Sequence, residues 1–183
     1  ITPNQARNHI SLQKNKMRLP KDQFQKAKTI LEKNMADVFK KYEVVLKEND
    51  ALDFDDLLLS PLKIFEEFPE ILKKYQQIWK YILVDEYQDT NKPQLLFLKT
   101  LAGEHKNICV VGDDDQSIYG WRGADIANIL SFEKFFPKCT IFKLEKNYRS
   151  TQQILDAASA VVSKNEKRAH KNLIAENGDG DPL

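Results

Sequence analysis

The sequence is poor in cysteine, has no long apolar run and carries almost no net charge. Two cysteines among 183 residues, Cys109 and Cys139, are too few for a disulfide framework or a four-ligand zinc site. Both stand in apolar, strand-like runs, as expected of thiols kept reduced in a cytoplasm. No apolar stretch approaches the ~20 residues that span a bilayer, so no membrane segment is expected. The start, Ile1-Thr2-Pro3-Asn4, has no basic region followed by an apolar stretch and no initiator Met. No signal peptide is therefore read, and the chain is expected to begin inside a longer protein.

What is present is a balanced globular composition, 42% apolar and 30% charged with a net charge of +1, enough for one good core or two small ones. The charge is uneven along the chain. Basic side chains predominate in residues 1–50 and acidic ones in 51–90, which places a basic surface beside an acidic site. Apolar positions at Phe24, Ala27, Leu31, Met35, Val38, Phe39, Tyr42, Val45 and Leu46 predict one long helix over 22–49, with lysines on its solvated face. Two shorter helices follow over about 54–66 and 69–78, the second opening on Pro69.

The period then changes. Tyr81-Ile82-Leu83-Val84 and Ile108-Cys109-Val110-Val111 read as strands buried on both faces, separated by a helix from Pro93 to Leu101 that Gly103 closes. A helix over 124–136, a third strand from Thr140 through Leu144, and a helix from a Ser150 or Thr151 cap to about 164 complete the pattern. Residues 165–183 lose periodicity and end in turns. Strands alternating with helices argue for an α/β fold with a parallel sheet.

Ligands of open parallel sheets bind at the carboxyl ends of strands, and three polar segments stand there. Asp85-Glu86-Tyr87-Gln88-Asp89-Thr90 offers adjacent carboxylates, one to hold Mg²⁺ and the other to orient or deprotonate a water. In Gly112 to Ala124, Gln116 can hydrogen-bond a phosphate oxygen, Tyr119 and Trp121 offer ring faces to bases, and Arg122 supplies a cation. In Leu144 to Thr151, Arg149 can neutralise a transferring phosphoryl group and Tyr148 can stack on a purine. Each segment alone has an ordinary structural reading: solvated turn acids, packing aromatics, a helix cap.

In this order, each after a strand, the three segments resemble motifs II, III and IV of the superfamily 1 DNA helicases of the UvrD/PcrA/Rep group. The resemblance takes in Leu52-Asp53-Phe54-Asp55-Asp56-Leu57-Leu58 and covers essentially the whole chain. It implies a RecA-like P-loop NTPase parallel sheet, present in part, with an N-terminal all-helical inserted subdomain. Residues 1–50 would be part of that subdomain, 51–145 the second half of the first RecA-like domain, and 146–183 the opening of the second.

The resemblance further implies that Asp85 coordinates the Mg²⁺ of ATP and Glu86 activates the hydrolytic water. Gln116 would contact the γ-phosphate and couple nucleotide state to the DNA track, Arg149 would act as an arginine finger on the same phosphate, and Tyr148 would stack on the adenine. Phe54, Tyr119 and Trp121 would form base pockets for single-stranded DNA, with Arg122 on the strand or in the coupling network. The implied activity is ATP-driven 3′–5′ translocation on single-stranded DNA and unwinding at duplex junctions, in repair or replication. A near-neutral charge suits a transient tracker. The same motifs occur in RecB- or AddA-like helicase-nucleases, and a non-catalytic scaffold of the same fold is the alternative from another class. One departure is decisive: no Gly-x-x-x-x-Gly-Lys-Ser/Thr occurs in the 183 residues, so the chain alone is expected to hydrolyse little or no ATP.

Overall fold

The structure, a computed structural model, describes residues 1–166 and 168–182. Lys167 and Leu183, within the stretch 146–183 assigned above to a second domain, lie outside the described residues. The fold is mostly helical, with two small parallel sheets.

Residues 1–50 form three helices, α1 (Pro3–Asn15), α2 (Pro20–Lys26) and α3 (Ile30–Glu48). The expected single helix over 22–49 is thus divided at Ala27–Thr29. Thr29 caps α3, accepting a hydrogen bond from the Glu32 N–H, while the Glu32 carboxylate accepts from the Thr29 and Lys28 N–H groups. This capping box starts a new helix where the apolar spacing alone runs on. Thr2 and Gln5 make the same device at α1, with Pro3 in the first turn. Ile10, Ala36 and Phe39 are buried.

The helices α4 (Asp56–Glu67) and α5 (Pro69–Ile78) follow as expected. Phe65 of α4 stacks on Phe97 of α6 (Lys92–Ala102) with ring centroids 5.8 Å apart, and it meets Tyr75 of α5 at 6.1 Å. This aromatic cluster, with buried Leu95, Leu101 and Ala102, is the core that joins α4, α5 and α6. That sheet pairs β1 (Ile82–Val84) with β2 (Ile108–Val110) in parallel, Ile82 opposite Ile108 and Val84 opposite Val110, and α6 is the crossover.

The strands are not buried on both faces. Leu83 is 79% exposed and Cys109 opposite it is exposed, because among the described residues nothing packs on that side. Three further expectations are corrected. The helix over 124–136 is two single turns, α7 (Ala127–Leu130) and α8 (Phe132–Phe135), parted at Ser131. The strand expected over Thr140–Leu144 has no pairing partner among the described residues, with Phe142 82% exposed, because an extended apolar run needs a neighbouring strand to become a ladder. Cys139 accordingly stands in no strand.

The pairing strand lies later. β3 (Lys146–Asn147) runs parallel to β4 (Ile174–Ala175), inside the stretch read as aperiodic, with α9 (Gln152–Val162) between them. Thr151 occupies the N-cap position of α9 without a side-chain capping bond. No helix among the described residues is long and apolar enough to cross a membrane.

Candidate functional site

The carboxyl end of β1 turns sharply. Glu86 is a non-glycine residue at φ 49°, ψ 41°, in the left-handed region, where an L side chain crowds the backbone. The following 3₁₀ turn, Tyr87–Asp89, holds it there: the Tyr87 N–H donates to the Val111 carbonyl, and the fully buried Tyr87 ring meets Phe132 edge-on at 5.5 Å. Among the described residues the Tyr87 hydroxyl has no hydrogen-bond partner, and burial pushes it up to about 12. Asp85 and Glu86 are exposed and adjacent. An Asp85 oxygen accepts the Glu86 N–H at 2.9 Å, and Glu86 Oε2 accepts from Gln88 Nε2 at 2.7 Å. With Asp89 and Thr90 they edge a shallow depression of about 450 Å³, lined also by Val84, Phe97 and Leu98.

The end of β2 leads into the second segment. Gln116 is exposed, and its Nε2 donates to Asp113 Oδ2 at 2.9 Å. Asp113, Asp114 and Asp115 all bond to the segment after α9, which brings two cations to the three carboxylates. Arg168 pairs with Asp115 at 2.7 Å, Lys171 pairs with Asp113 and also reaches Asp115 at 3.3 Å, and the Ala169 N–H donates to Asp114. Burial pushes the Asp113 carboxyl up, but the Lys171 ammonium and the Gln116 amide outweigh it and hold Asp113 below the usual carboxylate range.

Further along the same segment, Tyr119 and Trp121 tilt toward each other with centroids 6.3 Å apart. The Arg122 guanidinium lies 4.6 Å from the Trp121 ring centre and 5.0 Å from that of Tyr119. Trp121 is 75% exposed, which removes the reading of a packing anchor. Phe54, 90% exposed, stands on a separate segment.

The two segments share one buried anchor, Asn15 at the end of α1. Its Nδ2 donates to Asp55 next to Phe54, and its Oδ1 accepts from Asn91 at 2.6 Å. Its side chain also packs closely on Gly123, where φ is +91° and a Cβ would lie 3.3 Å from Asn15 Oδ1.

Tyr148 and Arg149 lie between β3 and α9, on a turn in which Asn147 Oδ1 accepts the Arg149 and Ser150 N–H groups. Both side chains are exposed. Among the described residues, no hydrogen bond or ion pair joins them to Asp85, Glu86 or Gln116. The structure therefore links the first two motif segments directly and leaves the third apart. Sequence reasoning missed Gln88, Asn15, Arg168 and Lys171. Only the last two had a visible signal, since three consecutive aspartates call for cations.

Among the described residues no cluster of three or more metal-ligating side chains occurs. A metal here would have to be one that one protein carboxylate and substrate oxygens can hold, which is the habit of Mg²⁺. Asp85 fits: it is exposed, and only one of its oxygens is engaged by the backbone.

The family model described as UvrD/REP helicase N-terminal domain matches residues 1–137. The chain is 50% identical over 174 residues to an ATP-dependent DNA helicase PcrA of Staphylococcus epidermidis and 49% identical to one of Staphylococcus aureus. Each alignment covers 95% of this chain and 24% of the relative. The chain thus spans about a quarter of the length of the curated relatives it matches. With three quarters of its residues inside the matched region, the chain belongs to the UvrD/REP helicase N-terminal domain family.

Proposed function

We propose that this chain carries the chemical and DNA-gripping core of an ATP-dependent 3′–5′ DNA helicase and translocase. The observation that supports this best is the exposed Tyr119–Trp121–Arg122 platform, on the same segment as Gln116, which hydrogen bonds to Gln88 tie to the turn that carries the acidic pair. A solvent-facing Trp with a guanidinium over its ring suits the stacking of unpaired bases, which grips any sequence and releases it at each step. The relatives' printed name, an ATP-dependent DNA helicase, agrees.

In this reading Asp85 holds the Mg²⁺ of ATP. When bound, that ion neutralises charge on the phosphate oxygens. Glu86 Oε2 is fixed by Gln88, leaving Oε1 to accept a proton from the attacking water. The water oxygen bonds to the γ-phosphorus, the bond from that phosphorus to the bridging oxygen breaks, and ADP departs with the electron pair. Gln116 contacts the γ-phosphate, and Arg149, free of ion pairs among the described residues, neutralises the charge developing on it. Tyr148 stacks on the adenine. Phe54, Tyr119 and Trp121 hold successive bases at a duplex junction, with Arg122 on the strand.

Residues 1–50, 51–145 and 146–183 are assigned to the inserted helical subdomain, the first RecA-like domain and the second. Because the 183 residues contain no phosphate-cradling Gly-x-x-x-x-Gly-Lys-Ser/Thr, the chain alone is expected to show no steady-state ATP hydrolysis above a buffer blank. The full-length protein is expected to show hydrolysis stimulated by DNA. Trp121→Ala in the full-length protein should weaken binding of a fluorescent oligo(dT) by about 5- to 100-fold, the equivalent of one stacked base. Unchanged affinity would remove Trp121 from the DNA track.

A further inference from the structure

Gln88 is 1% exposed, and its side-chain amide is used at both ends. Nε2 donates to Glu86 Oε2 at 2.7 Å, and Oε1 accepts the backbone N–H of Asp113 at 3.0 Å. Its own carbonyl accepts from the Ser117 hydroxyl at 3.3 Å. The partners fix the orientation of the amide, since only a donor can face a carboxylate and only an acceptor can face an N–H. The bridge also explains Gly112: a Cβ there would lie 2.5 Å from Gln88 Oε1 and 3.1 Å from the Tyr87 nitrogen, so any larger residue displaces the amide.

The atoms joined belong to different segments. Glu86 ends β1, whereas the Asp113 N–H begins the loop whose side chains place Gln116 and which continues to Tyr119, Trp121 and Arg122. A buried amide has no water with which to replace a lost partner, so displacement of the loop pulls on the Glu86 carboxylate.

Resting on the reading of Glu86 as the base, we propose that Gln88 is a positioning residue that transmits the seating of the 112–122 loop to that carboxylate. Occupancy of the aromatic platform by DNA then aligns the base for ATP hydrolysis. The bridge works as a coupler because a single planar group makes both bonds.

The test uses the full-length protein, ATP and oligo(dT), with Gln88→Leu and Gln88→Glu measured beside Glu86→Gln. Gln88→Leu removes both bonds. Gln88→Glu keeps an acceptor for the Asp113 N–H but has no donor for Glu86.

Both Gln88 variants are expected to lower DNA-stimulated kcat by about 30-fold or more while KM for ATP stays within about threefold. The ratio of rates with and without DNA should fall with it. The Glu86→Gln/Gln88→Leu double variant should be no more than about twofold slower than Glu86→Gln alone. A merely structural role moves KM, melting temperature and both rates together, and leaves the two losses multiplicative.

A stimulated kcat within about threefold of wild type in Gln88→Glu, or multiplicative losses in the double variant, overturns the coupling. If Gln88→Leu does not fold, Gln88→Glu decides alone. If Glu86→Gln retains wild-type turnover, the ATPase reading fails and the coupling with it. An inert Glu86→Gln beside wild-type Gln88 variants removes only the coupling.

Discussion

Glu86→Gln in the full-length protein is expected to lower DNA-stimulated ATP turnover by about 10²- to 10⁴-fold, the range for loss of a positioned general base. The change is nearly isosteric and keeps an oxygen able to accept from Gln88 Nε2, so the turn at the end of β1 should persist. Binding of ATP and of oligo(dT) should change by less than about threefold, because in this reading the carboxylate acts on the water and not on either ligand. Pre-steady-state mixing with labelled ATP separates the two: nucleotide should bind at the normal rate and remain uncleaved. Turnover within a few-fold of wild type would show that another group removes the proton.

Lys14→Ala should cost about 3 kcal/mol of stability, by loss of the cation that three carboxylates share. The Lys14 ammonium, 2% exposed, lies 2.8 Å from Glu43 of α3 and 2.8 and 2.7 Å from Asp53 and Asp56 at the start of α4. It also faces the Tyr42 ring at 5.4 Å. Removing it leaves Asp53 and Asp56, both largely buried, as uncompensated like charges.

The pH dependence has a definite sign. Burial pushes Asp53 up, but its bonds from Lys14 and the Asp56 N–H outweigh this, and Asp53 titrates below its ordinary value. Stability from a depressed carboxylate is present above the ordinary value, about 4, and is lost as pH falls through the folded one. Burial lowers Lys14, but its three carboxylate partners raise it above its ordinary value, so the ammonium stays charged throughout the neutral and acid range and the carboxylates set the pH at which the pairing is lost. Urea unfolding of wild type and Lys14→Ala should therefore differ most near pH 7, and the gap should narrow below about pH 4. A constant gap from pH 7 to pH 3 would assign the loss to packing alone.

How much of this was legible in the sequence depends on the range over which each interaction acts. The strands at 82–84 and 108–110 announce themselves as unbroken β-branched and apolar runs, and Pro69 marks the start of α5. Such signals are local. The break at Ala27–Thr29 was local too, but apolar periodicity from Phe24 to Leu46 runs across it, and only the Thr29–Glu32 capping pair reveals it. The segment 140–144 carries the same apolar signal as a strand, and what it lacks is a partner, which a single segment cannot announce. The acidic pair and the exposed aromatics could be located from their place after strands. Lys14, Asn15 and Gln88 could not, because each is defined by partners on separate segments and stands in no pattern of its own.

The left-handed backbone at Glu86 has an evolutionary consequence. Glycine or asparagine adopts φ 49° more readily than glutamate, so the observed residue forgoes about 1 kcal/mol relative to what the turn prefers. If Glu86 is the base proposed above, a laboratory selection for thermal tolerance alone would drift toward Gly or Asn at position 86 and accumulate variants that are sturdier and inert. In that reading, retention of the acid at such a site requires selection for turnover, and a homologue with glycine there would mark a lineage released from it.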